Sequence, residues 1–257
     1  MKTKIQNRKG QNVVVLVDEE KNQKGLAFVM HGLSGSKEQE HIATFAQAFK
    51  DKDFVVVRFD TTNTFGESDG RYEDATTTNY YEDLEDVITW SKSQSWYQEP
   101  FYLVGHSLGG ISTIVYAEKH SKEVKGLAPI SSVVSGKLSA ESRGVDEMKQ
   151  WEQSGWEEEK SDRAPGGVKR LPWSHMVDRL KHDVLPEASC LTMPVLLIVG
   201  DQDESTPPSH QRILYDKLPG NKEIHIIKKA PHTFKEKSQL DEIEQIFRKW
   251  IGKVEAK

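Results

Sequence analysis

Residues Phe101-Tyr102-Leu103-Val104-Gly105-His106-Ser107-Leu108-Gly109-Gly110 decide the fold. The run up to Gly105 is apolar and short, as a buried strand is. From Leu108 the apolar positions Leu108, Ile111, Ile114 and Val115 recur at helical spacing. Between strand and helix stands Gly-x-Ser-x-Gly, with Ser107 at its centre. A turn that tight brings the residues two before and two after the serine together, where only glycine fits. It lifts Ser107 to the top of the sheet, at the amino end of a helix. Free N–H groups and a partial positive charge are available there for an oxyanion. This is the pattern of a nucleophile elbow.

Outward from this stretch, strands and helices alternate. Residues 3–8 and 12–18 read as an opening hairpin, joined at Lys9-Gly10-Gln11. Leu26–Met30, Phe54–Phe59, Val124–Ile130 and Val195–Gly200 are apolar runs expected of strands buried on both faces. Glu223–Ile227 is the last strand. Helices are expected over about 38–51, 79–93 and 108–120, from near Pro207, and over 238–251. Thr206 is the expected N-cap of the helix near Pro207. The pattern predicts an α/β fold with a mostly parallel sheet covered by helices on both faces.

One stretch breaks the alternation. Residues 135–190 carry no strand signal and are too long for a simple connection. They are read as a helical cap inserted over the mouth of the sheet, with 1–134 and 191–257 forming the core. Trp151, Trp156 and Trp173 fall in this insertion. Two roles are open to them: anchoring the cap, or lining an apolar acyl or aryl pocket. The second predicts a preference for short-to-medium acyl or aryl esters.

Three further features follow predicted strands directly, where open α/β sheets carry their sites. His31-Gly32-Leu33 supplies the Leu33 N–H, which with that of Leu108 forms a candidate oxyanion hole. Gly200-Asp201-Gln202-Asp203 supplies a carboxylate to orient a histidine. Asp201, beside the strand end, suits an Asx turn. Asp203, across the turn, is the better placed. Ala230-Pro231-His232-Thr233-Phe234 supplies the base: of nine histidines, only His232 sits in a loop at the correct end of the sheet. His31 and His106 are assigned to packing. The chain order Ser107, Asp203, His232 is that of α/β-hydrolases.

These residues give the chain its resemblance. It is similar to α/β-hydrolases of the bacterial cinnamoyl/feruloyl esterase, serine aminopeptidase-like and acylglycerol lipase-like groups. The matching pieces are His31-Gly32-Leu33, Arg58-Phe59-Asp60 with Gly66-Glu67-Ser68-Asp69-Gly70, the elbow, Gly200-Asp201-Gln202-Asp203 and His232. In such proteins the acid is commonly the third residue after the glycine, which implies Asp203. Relatives usually read Arg-Gly-x-Gly-x-Ser after the strand aspartate, whereas this chain reads Thr61-Thr62-Asn63-Thr64-Phe65-Gly66. The resemblance implies a serine hydrolase, with carboxylic esters as the leading substrates. Small-peptide or amide cleavage and carbon–carbon bond cleavage are alternatives. A non-catalytic scaffold of the same fold would be expected to lack a triad member, and none is missing.

Bulk composition narrows the rest. With 257 residues, a net charge of -5 and scattered basic residues, there is no nucleic-acid footprint. The amino terminus shows no apolar signal segment, and no run approaches the ~20 residues that span a bilayer. A single cysteine, Cys190, allows no intrachain disulfide and fits the cytoplasm. No cofactor or metal is expected. Glu157-Glu158-Glu159 and the Glu38/His41 pair are read as solvated helix faces. The expected partner is a small-molecule ester.

Overall fold

A computed structural model describes residues 1–256. An eight-stranded sheet forms the centre. Its strands are β1 (Lys2–Gln6), β2 (Asn12–Asp18), β3 (Gly25–Met30), β4 (Phe54–Phe59), β5 (Phe101–His106), β6 (Val124–Ile130), β9 (Val195–Gly200) and β10 (Lys222–Ile227). The intervening β7 (Trp156–Lys160) and β8 (Val168–Pro172) form a separate hairpin. The sheet order is β1-β2-β4-β3-β5-β6-β9-β10, antiparallel only at β1/β2 and β2/β4. Together with its helices this is the α/β-hydrolase fold.

Alternation along each central strand divides the core into two layers. Phe28, Val57 and Leu103 point to one face, where helices α2 (Thr77–Ser91), α3 (Leu108–Lys119) and α7 (Pro208–Lys217) cover them. Val29, Val56, Tyr102 and Val104 point to the other, under α1 (Glu40–Lys50) and α8 (Lys237–Glu255). The buried stripe Ile42, Phe45, Ala46 and Phe49 of α1 meets Phe247 of α8, with the Phe45 and Phe247 rings 5.4 Å apart. Parallel register aligns the strand ends: Met30 pairs with Gly105, and Ile130 with Ile198. The loops after β3, β5, β6, β9 and β10 therefore open at one edge.

The loop after β4 departs from the usual pattern, and buried carboxylates hold it. Asp60 accepts from the Lys37 backbone N–H at 2.7 Å, the Lys37 ammonium at 2.8 Å and the Glu67 N–H at 2.8 Å. Asp83, on α2, accepts from the Thr62 N–H at 2.6 Å and the Thr62 hydroxyl at 2.8 Å. Asn7 and Asn79 complete its shell at 2.9 and 3.0 Å. Polar groups removed from water in this way persist because each has a partner.

Between β6 and β9 the chain differs from the sequence expectation. The insertion holds helices α4 (Gly136–Arg143), α5 (Val145–Ser154) and α6 (Trp173–Arg179), but also the β7–β8 hairpin. The acidic run Glu157-Glu158-Glu159 is therefore a strand, not a helix face. The hairpin carries no apolar alternation because cross-strand charge pairs stabilise it: Glu158 with Arg170 at 2.8 Å and Glu159 with Lys169 at 2.7 Å. A second correction concerns Thr206. The α7 helix begins at Pro208, so Pro207, which has no side-chain acceptor, holds the N-cap position, and the Thr206 hydroxyl is engaged elsewhere.

Lys37 and Asp60 form a buried ion pair, both side chains at most 1% exposed. The Lys37 ammonium also pairs with Glu67, so it is removal of Lys37 that strands a buried charge, on Asp60, at a cost of about 3–5 kcal/mol. Lys37→Met is expected to lower the unfolding free energy by that amount in urea titration. Adding Asp60→Asn should recover part of the loss. A single variant within about 1 kcal/mol of the parent protein, the spread of exposed ion pairs, would show that the pair does not hold the loop.

Candidate active site

Ser107 sits between β5 and α3 with φ 55° and ψ −114°, a conformation that non-glycine residues seldom adopt. The turn is as crowded as its sequence implies: a Cβ on Gly105 would lie 2.3 Å from the Gly109 carbonyl oxygen. Bonds from the Ser107 N–H to the Ile130 carbonyl at 3.0 Å and from the Val133 N–H to the Ser107 carbonyl at 3.2 Å fix the strained residue to β6 and its loop.

The structure brings Ser107, His232 and Asp203 into one hydrogen-bonded line. The Ser107 Oγ lies 2.9 Å from His232 Nε2, and His232 Nδ1 lies 2.9 and 3.1 Å from the two Asp203 carboxylate oxygens. A carboxylate only accepts, so Nδ1 carries the proton and Nε2 is left to accept from the serine hydroxyl. Asp203 is buried and also accepts from the N–H groups of Ser205 at 3.0 Å and Thr206 at 2.8 Å. Burial by itself would raise its pKa. The bonds from His232 and Thr206 outweigh burial and hold the carboxyl below its usual range. Asp201 is exposed, and its N–H donates to the Ile227 carbonyl, so it serves the turn.

Thr206 was not singled out from the sequence as part of this site. Its hydroxyl lies 2.8 Å from the Ser131 carbonyl, 2.9 Å from Asp203 Oδ2 and 3.2 Å from His232 Nδ1. It ties the loops after β6, β9 and β10 together. A threonine three residues past the aspartate was the available signal, but it resembles an ordinary helix cap.

The loop after β3 closes on the serine. A Cβ on Gly32 would lie 2.8 Å from the Ser107 Cβ, so this loop needs glycine for its close approach. His31 shapes it from within. Its Nε2 accepts from the Thr61 N–H at 3.1 Å, and its Nδ1–H donates to the Gly32 carbonyl at 2.7 Å. Among the described residues the amides of Leu33 and Leu108 find no protein acceptor. His106 donates through Nε2 to the His232 carbonyl at 2.9 Å. Burial keeps both His31 and His106 below the usual histidine range.

A cavity of about 250 Å³ opens beside Ser107 and His232. Its lining corrects the expectation of a tryptophan-walled pocket. Arg143, Glu157, Lys169 and Arg179 of the insertion face it, with Tyr72 and Leu171. Trp151, Trp156 and Trp173 do not. Trp151 is 4% exposed and donates its indole N–H to the Leu171 carbonyl at 3.0 Å, anchoring a small apolar cluster with Tyr72, Leu171 and Met176. Trp173 packs against that cluster, and Trp156 is 39% exposed under the Arg170 guanidinium. Among the described residues no group of three His, Cys, Asp or Glu side chains is arranged to hold a metal. No helix among them is long and apolar enough to cross a membrane.

A parallel sheet with an elbow serine, a loop histidine and a buried aspartate at its carboxyl edge defines a hydrolase of the α/β-hydrolase superfamily. The family model for serine aminopeptidases, S33, matches residues 21–158, and the chain belongs to that family. Among curated proteins it is similar to palmitoyl-protein thioesterase ABHD10, mitochondrial, of Mus musculus, 25% identical over 217 residues, spanning 82% of this chain and 67% of that protein. It is also similar to an uncharacterized 31.7 kDa protein of Escherichia coli, 24% identical over 231 residues, spanning 78% and 80%. Among solved structures, ferulic acid-bound Est1E from Butyrivibrio proteoclasticus superposes with a TM-score of 0.82 at 22% identity, covering 99% of this chain and all of that one.

The hydrogen bond between His232 Nδ1 and Asp203 has a spectroscopic signature. A strongly downfield imidazole proton is expected in the proton NMR spectrum, lost in Asp203→Asn and retained in Asp201→Asn. Its loss in Asp201→Asn alone would transfer the contact to the other aspartate.

Proposed function

We propose that the protein is a serine hydrolase that cleaves carboxylic esters through an acyl-enzyme, with Ser107, His232 and Asp203 as its triad. The observation that carries this reading is the Ser107–His232–Asp203 line, at 2.9 Å on each side of the imidazole. His232 Nε2 takes the Ser107 proton as Oγ attacks the ester carbonyl carbon. The carbonyl oxygen becomes an oxyanion, received by the N–H groups of Leu33 and Leu108. The imidazolium forms against Asp203, whose carboxylate remains ionised and stabilises it. Collapse breaks the carbon–oxygen bond to the alcohol, and His232 returns its proton to the leaving oxygen. A water, deprotonated by the same nitrogen, then releases the acid and frees Ser107.

Residues 135–190 act in this reading as a cap, since they supply one wall of the cavity over the serine. A small ester is the substrate that a cavity of about 250 Å³ admits. A thioester of similar size requires the same steps, and ABHD10 is by name a thioesterase. The exposed, single Cys190 accords with a reducing compartment, and we propose a cytoplasmic location.

A panel of matched p-nitrophenyl esters and p-nitroanilides tests the reading. Turnover of esters above anilides is expected, with loss of activity in Ser107→Ala. Asp203→Asn should lower kcat about 10⁴-fold, as removal of the orienting carboxylate does in serine proteases. Ester turnover that survives Ser107→Ala would remove the serine from the chemistry, and faster anilide cleavage would assign the site to amides.

A further inference from the structure

We propose that the cavity beside Ser107 takes esters bearing a carboxylate, and that the Arg179 guanidinium receives that carboxylate. The inference rests on Ser107 as the ester-cleaving nucleophile and extends that reading to the chemical class of the substrate.

Arg179 closes α6, lines the cavity and is only 7% exposed. Its partners are neutral. One terminal nitrogen donates to the Ser139 hydroxyl at 3.0 Å, and the other to His175 Nε2 at 2.8 Å. His175 can accept there because its Nδ1–H is committed to the Ala75 carbonyl at 2.7 Å. Burial pulls the His175 pKa down to about 3, so the ring stays uncharged beside the guanidinium. Arg179 Nε is buried without an acceptor. Among the described residues no carboxylate forms an ion pair with Arg179. Burial, with Arg143 nearby, lowers its pKa to about 10, which leaves it cationic at neutral pH. An ion withdrawn from water normally persists only with a partner of opposite charge.

The other charges around the cavity balance one another. Arg143 pairs with Glu157, and Lys169 pairs with Glu159 at 2.7 Å. One positive charge remains, on Arg179. A guanidinium matches a carboxylate through two parallel N–H donors. A single carboxylate neutralises a single unbalanced cation. A phosphate, with about −1.5 to −2 charges at neutral pH, would leave an excess of negative charge beside Glu157 and Glu159. Tyr72, on the same wall, is held protonated by burial and adds a neutral surface, not a competing charge. The substrate is thus fixed at two points, its carboxylate at Arg179 and its scissile carbonyl at Ser107.

The test compares charged and neutral esters of equal length in the wild-type protein. One arm sets the monomethyl esters of glutaric, adipic and pimelic acids against methyl valerate, hexanoate and heptanoate. A second arm places the charge on the alcohol side, with 4-acetoxybenzoate against 4-methylphenyl acetate. In at least one arm kcat/KM should favour the charged ester by about 10- to 100-fold, the range of a hydrogen bond to a charged group. Arg179→Met should collapse that ratio towards one, mainly through KM. Fluorophosphonate labelling of Ser107, with a neutral probe, runs in parallel. Labelling together with neutral esters equal or superior in both arms overturns this inference and leaves the esterase reading standing. Absence of labelling and of ester turnover overturns both. If Arg179→Met does not fold, the wild-type ratios decide alone.

Discussion

The constraint on which the rest depends is the strained backbone of Ser107. Holding a serine at φ 55° and ψ −114° costs on the order of 1–3 kcal/mol, and it persists only where the surroundings over-determine it. Here β5 ends under it, α3 begins beyond it, and β6 holds its amide. Gly105 and Gly32 let chain segments come closer than any side chain permits. The same crowding that strains the serine brings the β3 loop against it. It also leaves the Leu108 amide, at the start of α3, without a protein acceptor beside the serine. In the proposed mechanism, strain, oxyanion donors and nucleophile are one piece of geometry.

The histidine and the aspartate reach the serine because the sheet is parallel. Strands β5, β9 and β10 end at the same edge, so residues separated by 125 positions in the chain meet at 2.9 Å. Thr206 secures the junction by linking three of the loops. The insertion then adds an unusual wall. Trp151, Met176 and Leu171 cluster inside it, and Arg143, Glu157, Lys169 and Arg179 face the cavity together with Leu171. With Trp151 and Trp173 packed on each other, the insertion offers the cavity mainly charged side chains, with Leu171 as its apolar contribution.

What the sequence made legible follows from how each part is stabilised. Strands buried on both faces, such as Leu26–Met30 and Val195–Gly200, show as unbroken apolar runs. The elbow shows as glycine spacing, and His232 by its place after the last strand. The β7–β8 hairpin was hidden because its partners are charges, Glu158 with Arg170 and Glu159 with Lys169, and charge pairs leave no hydrophobic period. Thr206 looked like a helix cap, and only the fold shows its hydroxyl shared between Asp203 and Ser131. Nothing in the sequence singles out Arg179. Its burial depends on α4 lying across it, which local sequence does not encode. The tryptophans drew attention for their size, but size alone does not tell an anchor from a pocket wall.

The proposed reaction passes through a covalent intermediate on the Ser107 oxygen. The most direct measurement is mass spectrometry of the protein after reaction with a p-nitrophenyl carbamate, whose carbamoyl-enzyme resists hydrolysis and accumulates. One carbamoyl group per chain is expected, located by peptide mapping on Ser107, with stoichiometric release of p-nitrophenol. A modification on another residue, or p-nitrophenyl ester turnover by a protein whose Ser107 is never carbamoylated, would contradict it.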